Sequence, residues 1–397
     1  MKIYKYIVIG IILLSIISNI SYAKDKEVRA LWATRYSLIS KKSIDDLVNT
    51  ADKYNFNLIF AQVRGRGEAF YNSEVEPKYE KLEANLDPLA YLLEKAHEKN
   101  IEIHAWLNAY YVWSDPIKPN QKNHVLNKYP EWFLVDKTGK SIINYSRDVL
   151  SKNMIEGAFL DPAQDEVKKY LEKIYLEVVK KYNVDGIHFD YIRYPKSYFG
   201  YGKEAVEKFK NIENLNIQDF VNNIKTYRGK YNDEKIKDIL KKWYQFKKDQ
   251  VSALVESVSK KSIKMKKNIK ITAAVIPNFP KADFDYSQEW EKWLKEGWID
   301  FAVPMTYQKN TEDLKKNIDE IIKKTGSKPF VMGIGAYLLK ADGIISKIKL
   351  YKKILEDFKG ILGVSLFSYD GFKGKEEQLK KVKSEVFSDK AILPWKP

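Results

Sequence analysis

Eight short apolar runs recur along the chain, and the spacing of apolar positions changes between them. The runs are "VRALWAT" (28–34), "NLIFAQV" (57–63), "IEIHAWL" (101–107), "VDGIHFD" (184–190), "IKITAAV" (269–275), "IDFAVPM" (299–305), "PFVMGIG" (329–335) and "ILGVSLF" (361–367). Most are apolar at consecutive rather than alternate positions, which predicts parallel strands covered on both faces. The segments between them carry helical spacing, as at Ile44, Leu47, Val48 and Ala51. Ser43 with Asp46 predicts one helix start and Asp87–Pro88 a second. Asp161–Pro162, with Gln164 three residues after the cap, predicts a third. Val251, Leu254, Val255 and Val258 mark a fourth face, and Leu314, Ile318 and Ile321 another; residues 344–358 supply one more.

Eight strands alternating with helices predict a closed (β/α)8 TIM barrel. An open doubly wound sheet would place a glycine-rich turn after its first strand, where this chain reads "WATRYSL". Long βα loops follow strands 3 and 4. Residues 108–160 are rich in aromatics, and residues 195–250 are rich in Lys, Glu and Asn and expected to be helical. Such connections enlarge the C-terminal face of a barrel, where active sites form. No repeat or low-complexity linker interrupts residues 24–397, which read as one barrel domain.

Residues 1–23 change the picture. Lys2 and Lys5, an apolar run over 7–20 and the small residues Ser21 and Ala23 predict a signal peptide cut before Lys24. The alternative is an uncleaved anchor, for which the run is short. The expected product is exported, periplasmic or extracellular, with no stable membrane anchor. The chain has no cysteine, so neither disulfides nor a lipid-modified terminus is expected. The formal net charge of +16 favours acidic partners, although Lys alternates with Glu and Asp on the helical segments as on any solubilising surface. Export argues against nucleic acid and points to an acidic envelope polymer.

Chemistry gathers at the strand ends. Gly186, His188 and Asp190 share one face of the fourth strand, and Asp190 stands at its C-terminal end. Tyr191 and Arg193 follow directly. In the third strand His104, Trp106 and Asn108 share a face, and Tyr110 and Tyr111 continue it; Trp106, Tyr110 and Tyr111 suit stacking on sugar rings. Gln62 and Arg64 share a face of the second strand. Glu68 just beyond is an available second carboxylate, with Asp370 as its competitor. Asp300 opens its strand at the opposite end, Asp185 likewise, and Asp161 reads as a helix cap. Four His with no HxH or HExxH spacing predict no metal site, and no cofactor motif is present. A barrel mouth with carboxylates and aromatics suits glycoside hydrolysis, which needs two carboxyl groups flanking the scissile bond.

"EVRALWATR", "QVRGRGEAFY", "IEIHAWLNAY", "FLDPAQDEVKKYL", "VDGIHFDYIRYP", "WEKWLKEGWIDFAVPMTY" and "GVSLFSYD" together resemble the glycosyl-hydrolase-like 10 family of exported bacterial barrel proteins. The resemblance covers nearly all of residues 24–397. It implies a barrel similar to α-amylase-type hydrolases, whose fourth strand presents Arg-x-Asp with the Asp as nucleophile. The corresponding pair here is His188-x-Asp190. The acid of that type, a Glu after the fifth strand, has no counterpart in "VIPNFPKADFDY". Many members carry Asp-Asp where this chain has Asp190–Tyr191. The resemblance further implies peptide-free peptidoglycan strands as substrate. The expectation is therefore an exported glycoside hydrolase of acidic cell-wall glycan, with Asp190 and Glu68 as its catalytic carboxylates. Arg64, His104, Trp106, Asn108, Tyr110, Tyr111, His188, Tyr191 and Arg193 are expected around the substrate. A non-catalytic glycan-binding barrel and a cell-wall deacetylase are the alternatives.

Overall fold

A computed structural model describes residues 25–396 apart from Lys309 and Lys359; the segment expected to be a signal peptide lies outside the described residues. The strands are β1 (Val28–Ala33), β2 (Leu58–Arg64), β3 (Glu102–Asn108), β4 (Tyr111–Trp113), β5 (Ala158–Phe159), β6 (Gly186–Asp190), β7 (Lys270–Val275), β8 (Phe301–Pro304), β9 (Phe330–Gly335) and β10 (Ile361–Phe367). All except β4 and β5 close into one barrel in the order β1-β10-β9-β8-β7-β6-β3-β2, while β4 and β5 pair separately. Every barrel pairing is parallel. All eight sequence runs are strands, because side chains buried on both faces need a helix outside and a packed interior within.

The eight principal helices are α1 (Lys41–Lys53), α2 (Pro88–Glu98), α3 (Asp165–Lys181), α4 (Asp233–Met265), α5 (Trp290–Lys295), α6 (Thr311–Thr325), α7 (Ala341–Asp357) and α8 (Glu376–Val386). Among the described residues none is long and apolar enough to cross a membrane. Asp87 caps α2 through the Ala90 N–H, with Pro88 at the first helical position, as the sequence predicts. Two starts differ. Ser40 rather than Ser43 caps α1, and Ser43 completes the reciprocal capping pair. Asp161 accepts the Ala163 N–H in the turn before α3, whose cap is Gln164.

Trp32, Phe60, Trp106, Phe301, Val303 and Val331 pack the barrel interior. Trp395 closes its N-terminal face, stacking on Phe301 and donating its indole N–H to Glu102 at 3.1 Å. The connection after β3 holds β4, β5 and short helical turns. The connection after β6 is helical as expected, with its own apolar cluster around Phe209, Phe220 and Trp243.

Candidate active site

The C-terminal ends of β3 and β6 lie side by side, with Asn108 paired in register to Asp190. Asp190 is buried, and its Oδ1 accepts the backbone N–H of Tyr191 at 2.7 Å. Burial pushes its carboxyl up to about 6, and the Glu156 charge adds to the rise. The Tyr191 N–H, the Arg193 guanidinium and the Trp106 indole oppose it. A carboxyl with that affinity holds or releases a proton near neutral pH, as acid–base catalysis requires.

Polar side chains are fixed around it. Asn108 Oδ1 accepts from the Trp106 indole N–H at 2.9 Å and from Gln62 Nε2 at 3.4 Å. Gln62 Oε1 accepts in turn from Arg35 at 3.1 Å. Tyr307 lies close enough for the Asp190 charge to raise its hydroxyl, after burial, and its ring stacks on Phe367 with centroids 5.7 Å apart. Tyr337, half exposed, meets Phe367 edge-on at 5.8 Å. Both lie in connections that follow β8 and β9, so aromatic faces line the mouth opposite β3.

Several residues expected at the mouth lie elsewhere. Arg64 is fully buried on the outer side of the sheet. The pairing of β2 with β3 shifts register between Gln62 and Arg64, and this bulge breaks the alternation that would put both on one face. Its guanidinium grips Glu76 through two bonds of 2.8 and 2.7 Å and also donates to the carbonyls of Asn108 and Ala109. Tyr110 is likewise buried away from the mouth, near Asp161 and Tyr194. Trp106, Tyr110 and Tyr111 therefore form no common platform. Tyr111 instead stacks on Tyr191 with centroids 4.7 Å apart.

His188 and His104 sit below the mouth. His188 bonds Thr272 at 2.8 Å, lies 4.6 Å from the Trp32 ring, and is kept neutral by burial. His104 lies deeper, its ring 6.0 Å from Phe301 and its Nε2 3.8 Å from Glu102. Both are fully buried interior groups: His188 pairs in register with Trp106, one inward position below the Asn108–Asp190 level, and His104 lies one further down.

Arg193 faces Asp190 but is not free. It donates to Glu156 at 2.7 Å and lies over the rings of Tyr191 and Tyr286, 4.8 Å from each. Glu156, 37% exposed, is thus brought beside Asp190, and nothing in the sequence reading singled it out. Its signal was indirect: an Arg buried three residues past a strand end needs an acid partner.

Glu68 is buried beside Arg66 and Arg35. Burial pushes its carboxyl up, and the two guanidiniums pull the other way. It is not among the groups acting most strongly on Asp190. Asp370 accepts from Thr34 at 2.6 Å, Ser37 at 2.8 Å and Lys373 at 2.9 Å. Burial would raise it, but these bonds outweigh burial and hold it below the usual carboxylate range, which suits a clamp between the first and eighth connections rather than a proton donor. Asp185 and Asp300 cap strand starts at the opposite face, as expected, through the N–H groups of Ile103 and Ile271.

The rim next to Gln62 is basic. Arg35 and Arg66 both donate to the Tyr36 hydroxyl, at 2.8 and 3.2 Å, and together they hold that phenol below its ordinary value against the effect of burial. Arg66 also lies 5.2 Å over the Trp113 ring. A cleft of about 350 Å³ opens beside it in the connection after β3 and includes Trp113 and Glu156. A larger cleft of about 710 Å³, around Phe279 and Lys324, includes none of these residues. Among the described residues no three His, Asp or Glu side chains cluster as a metal site.

Known proteins share this architecture. The chain is 25% identical over 249 residues to the glycosyl hydrolase YngK of Bacillus subtilis (strain 168), covering 55% of this chain and 45% of that one. It is 27% identical over 193 residues to the glycosyl hydrolase DigH of Escherichia coli (strain K12), covering 46% and 42%. The matched region spans less than half the length of these relatives. Among solved structures, the glycoside hydrolase domain of PgaB (BpsB) from Bordetella bronchiseptica superposes with a TM-score of 0.66 at 11% identity, covering 90% of this chain and 98% of that one. The catalytic domain of β-amylase from Paenibacillus polymyxa superposes with a TM-score of 0.61 at 12% identity, covering 92% and 99%. These likenesses establish the barrel. Residues 27–339 match the glycosyl hydrolase-like 10 family, and the chain belongs to it.

Proposed function

We propose that the protein is an exported glycoside hydrolase of acidic cell-envelope glycan, with Asp190 as the group that gives and takes the proton at the glycosidic oxygen. One observation carries the reading: a buried carboxyl raised to about 6 stands at the C-terminal end of the fourth barrel strand, ringed by fixed polar groups and aromatic faces. Glycosidic cleavage needs a proton donor that is still protonated near neutral pH, and a second carboxylate across the bond. Glu156 is favoured for the second role, because its charge acts on Asp190 and Arg193 holds it within reach of the mouth. Glu68 is the other candidate, on the Arg35 and Arg66 side.

Arg35 and Arg66 support an acidic substrate, in place of the buried Arg64. Each donates to the neutral Tyr36 hydroxyl; Arg35 enters no ion pair among the described residues and Arg66 meets Asp115 only at 3.7 Å, so the two retain positive charge for a carboxylate. Muramic acid freed of its peptide carries such a group on its lactyl arm. Turnover of peptide-free peptidoglycan strands, compared with intact peptidoglycan, starch and chitin, tests the assignment. Faster hydrolysis of a neutral polymer would overturn the substrate, and binding without turnover of any polymer would favour a glycan-binding barrel.

A further inference from the structure

The cleft beside Glu156 is built from the connection after β3. Trp113 and Tyr145 offer aromatic surface to it, Lys118 and Arg147 offer cations, and Ser151 and Glu156 complete its wall. Two chains of contact join it to Asp190. On one side Glu156 bonds Arg193, whose guanidinium lies over Tyr191, the residue after Asp190. On the other, Trp113 lies under Arg66, which shares Tyr36 with Arg35, and Arg35 bonds Gln62 in the mouth. Two runs of side chains therefore link the cleft to the mouth.

Its charge is not balanced. The two acids of the cleft already have partners: Glu156 pairs with Arg193 at 2.7 Å, and Asp115 with Arg66 at 3.7 Å. Lys118 and Arg147 line the same cleft and enter no ion pair among the described residues. Both are exposed, as are Ile117 and Met154 in the same two loops, 75% and 77% respectively. Exposed, unpaired cations beside aromatic faces in one cleft suit an amphipathic anion. Carbohydrate has that character: ring C–H faces for the aromatic surface, and hydroxyls with a carboxylate for the cations.

We propose that this cleft is a subsite for a carboxylate-bearing sugar residue of the glycan, next to the pair that meets Asp190, with Arg147 and Lys118 reading the carboxylate. The proposal rests on the glycan-hydrolase reading for the identity of the polymer. It adds where the chain runs after leaving the mouth.

The test uses the full chain carrying Asp190→Asn, so that ligands survive, and measures binding by calorimetry. The probes are a disaccharide and a hexasaccharide of peptide-free peptidoglycan glycan, and chitohexaose as the neutral match in length. Arg147→Ala should weaken the acidic hexasaccharide about tenfold, as loss of one charge-assisted contact does, and change chitohexaose by less than about threefold. Ser151→Trp, which fills the cleft from an exposed helix, should weaken both hexasaccharides about tenfold and leave the disaccharide unaffected. Unchanged affinities in both variants, or no binding of any probe by the parent, would overturn the subsite. Hydrolysis by the native chain is scored separately. Turnover with variants that bind normally removes the subsite and spares the hydrolase reading, whereas cleft-dependent binding without turnover does the reverse.

Discussion

Asp190 Oδ1 accepts the backbone N–H of Tyr191 at 2.7 Å, and Tyr191 itself sits in the left-handed region with a φ of +49°. That bond is a small return for burying a carboxylate, and the carboxyl remains raised to about 6. The folded protein therefore binds this proton more tightly than the unfolded chain, whose Asp titrates near 3.8. Stability from this group is greatest below pH 4, falls as pH rises from about 4 to about 6, and is constant above. Asp190→Asn keeps an acceptor for the N–H and removes the charge. It should stabilise the protein by ~2 kcal/mol at pH 7.5 and by much less at pH 4. Urea unfolding of both proteins at the two pH values measures this, and an equal effect at both would contradict the buried charge.

The same titration sets the activity profile. If Asp190 donates the proton, kcat/KM should fall as pH rises through about 6, because the donor is then lost. Glu156→Gln should lower kcat roughly 10²-fold or more, as removal of one of two reacting carboxylates does. Glu68→Gln should cost less than Glu156→Gln. Steady-state rates from pH 4.5 to 8.5 check all three statements, and a larger loss in Glu68→Gln would exchange the two roles.

Arg64 and Glu76 are both fully buried and joined by two bonds of 2.7 and 2.8 Å. Removing one partner strands the other charge without water, so Glu76→Ala should cost ~3–5 kcal/mol. The urea midpoint reads the loss, and one below ~1 kcal/mol would mean that water reaches the pair. Because Arg64 does not face the mouth, Arg64→Ala should not alter the ratio of acidic to neutral glycan affinity in the protein that remains folded.

Arg35 and Arg66 should control that ratio instead. Arg35→Ala and Arg66→Ala are each expected to weaken an acidic oligosaccharide by about tenfold more than a neutral one of equal length. Raising the salt concentration should narrow the gap, since both guanidiniums are partly exposed. Equal losses for both ligands would move acid recognition elsewhere.

The barrel was legible because each strand is buried on both faces, and such runs stand out without reference to partners. Asp190 was legible for the same reason, as a charge at the end of such a run. Arg64 was misplaced because a bulge is a property of two strands, and neither β2 nor β3 alone records that their register shifts between Gln62 and Arg64. Tyr110 and Tyr111 continue the third strand in sequence, yet the chain turns there. One side chain then packs near Asp161 and the other on Tyr191. Glu156 was missed because its place beside Asp190 is made by an ion pair reaching 37 residues along the chain, with no local period to announce it.

Turnover and binding of peptide-free glycan strands by Asp190→Asn, measured side by side at pH 6, test the central claim most directly. The account predicts that turnover falls by about 10²–10⁴ while affinity for the strands stays within a few fold and the protein unfolds no more easily than the parent. An Asp190→Asn variant that hydrolyses the strands at the native rate would contradict it, and would return Asp190 to a structural role at the end of its strand.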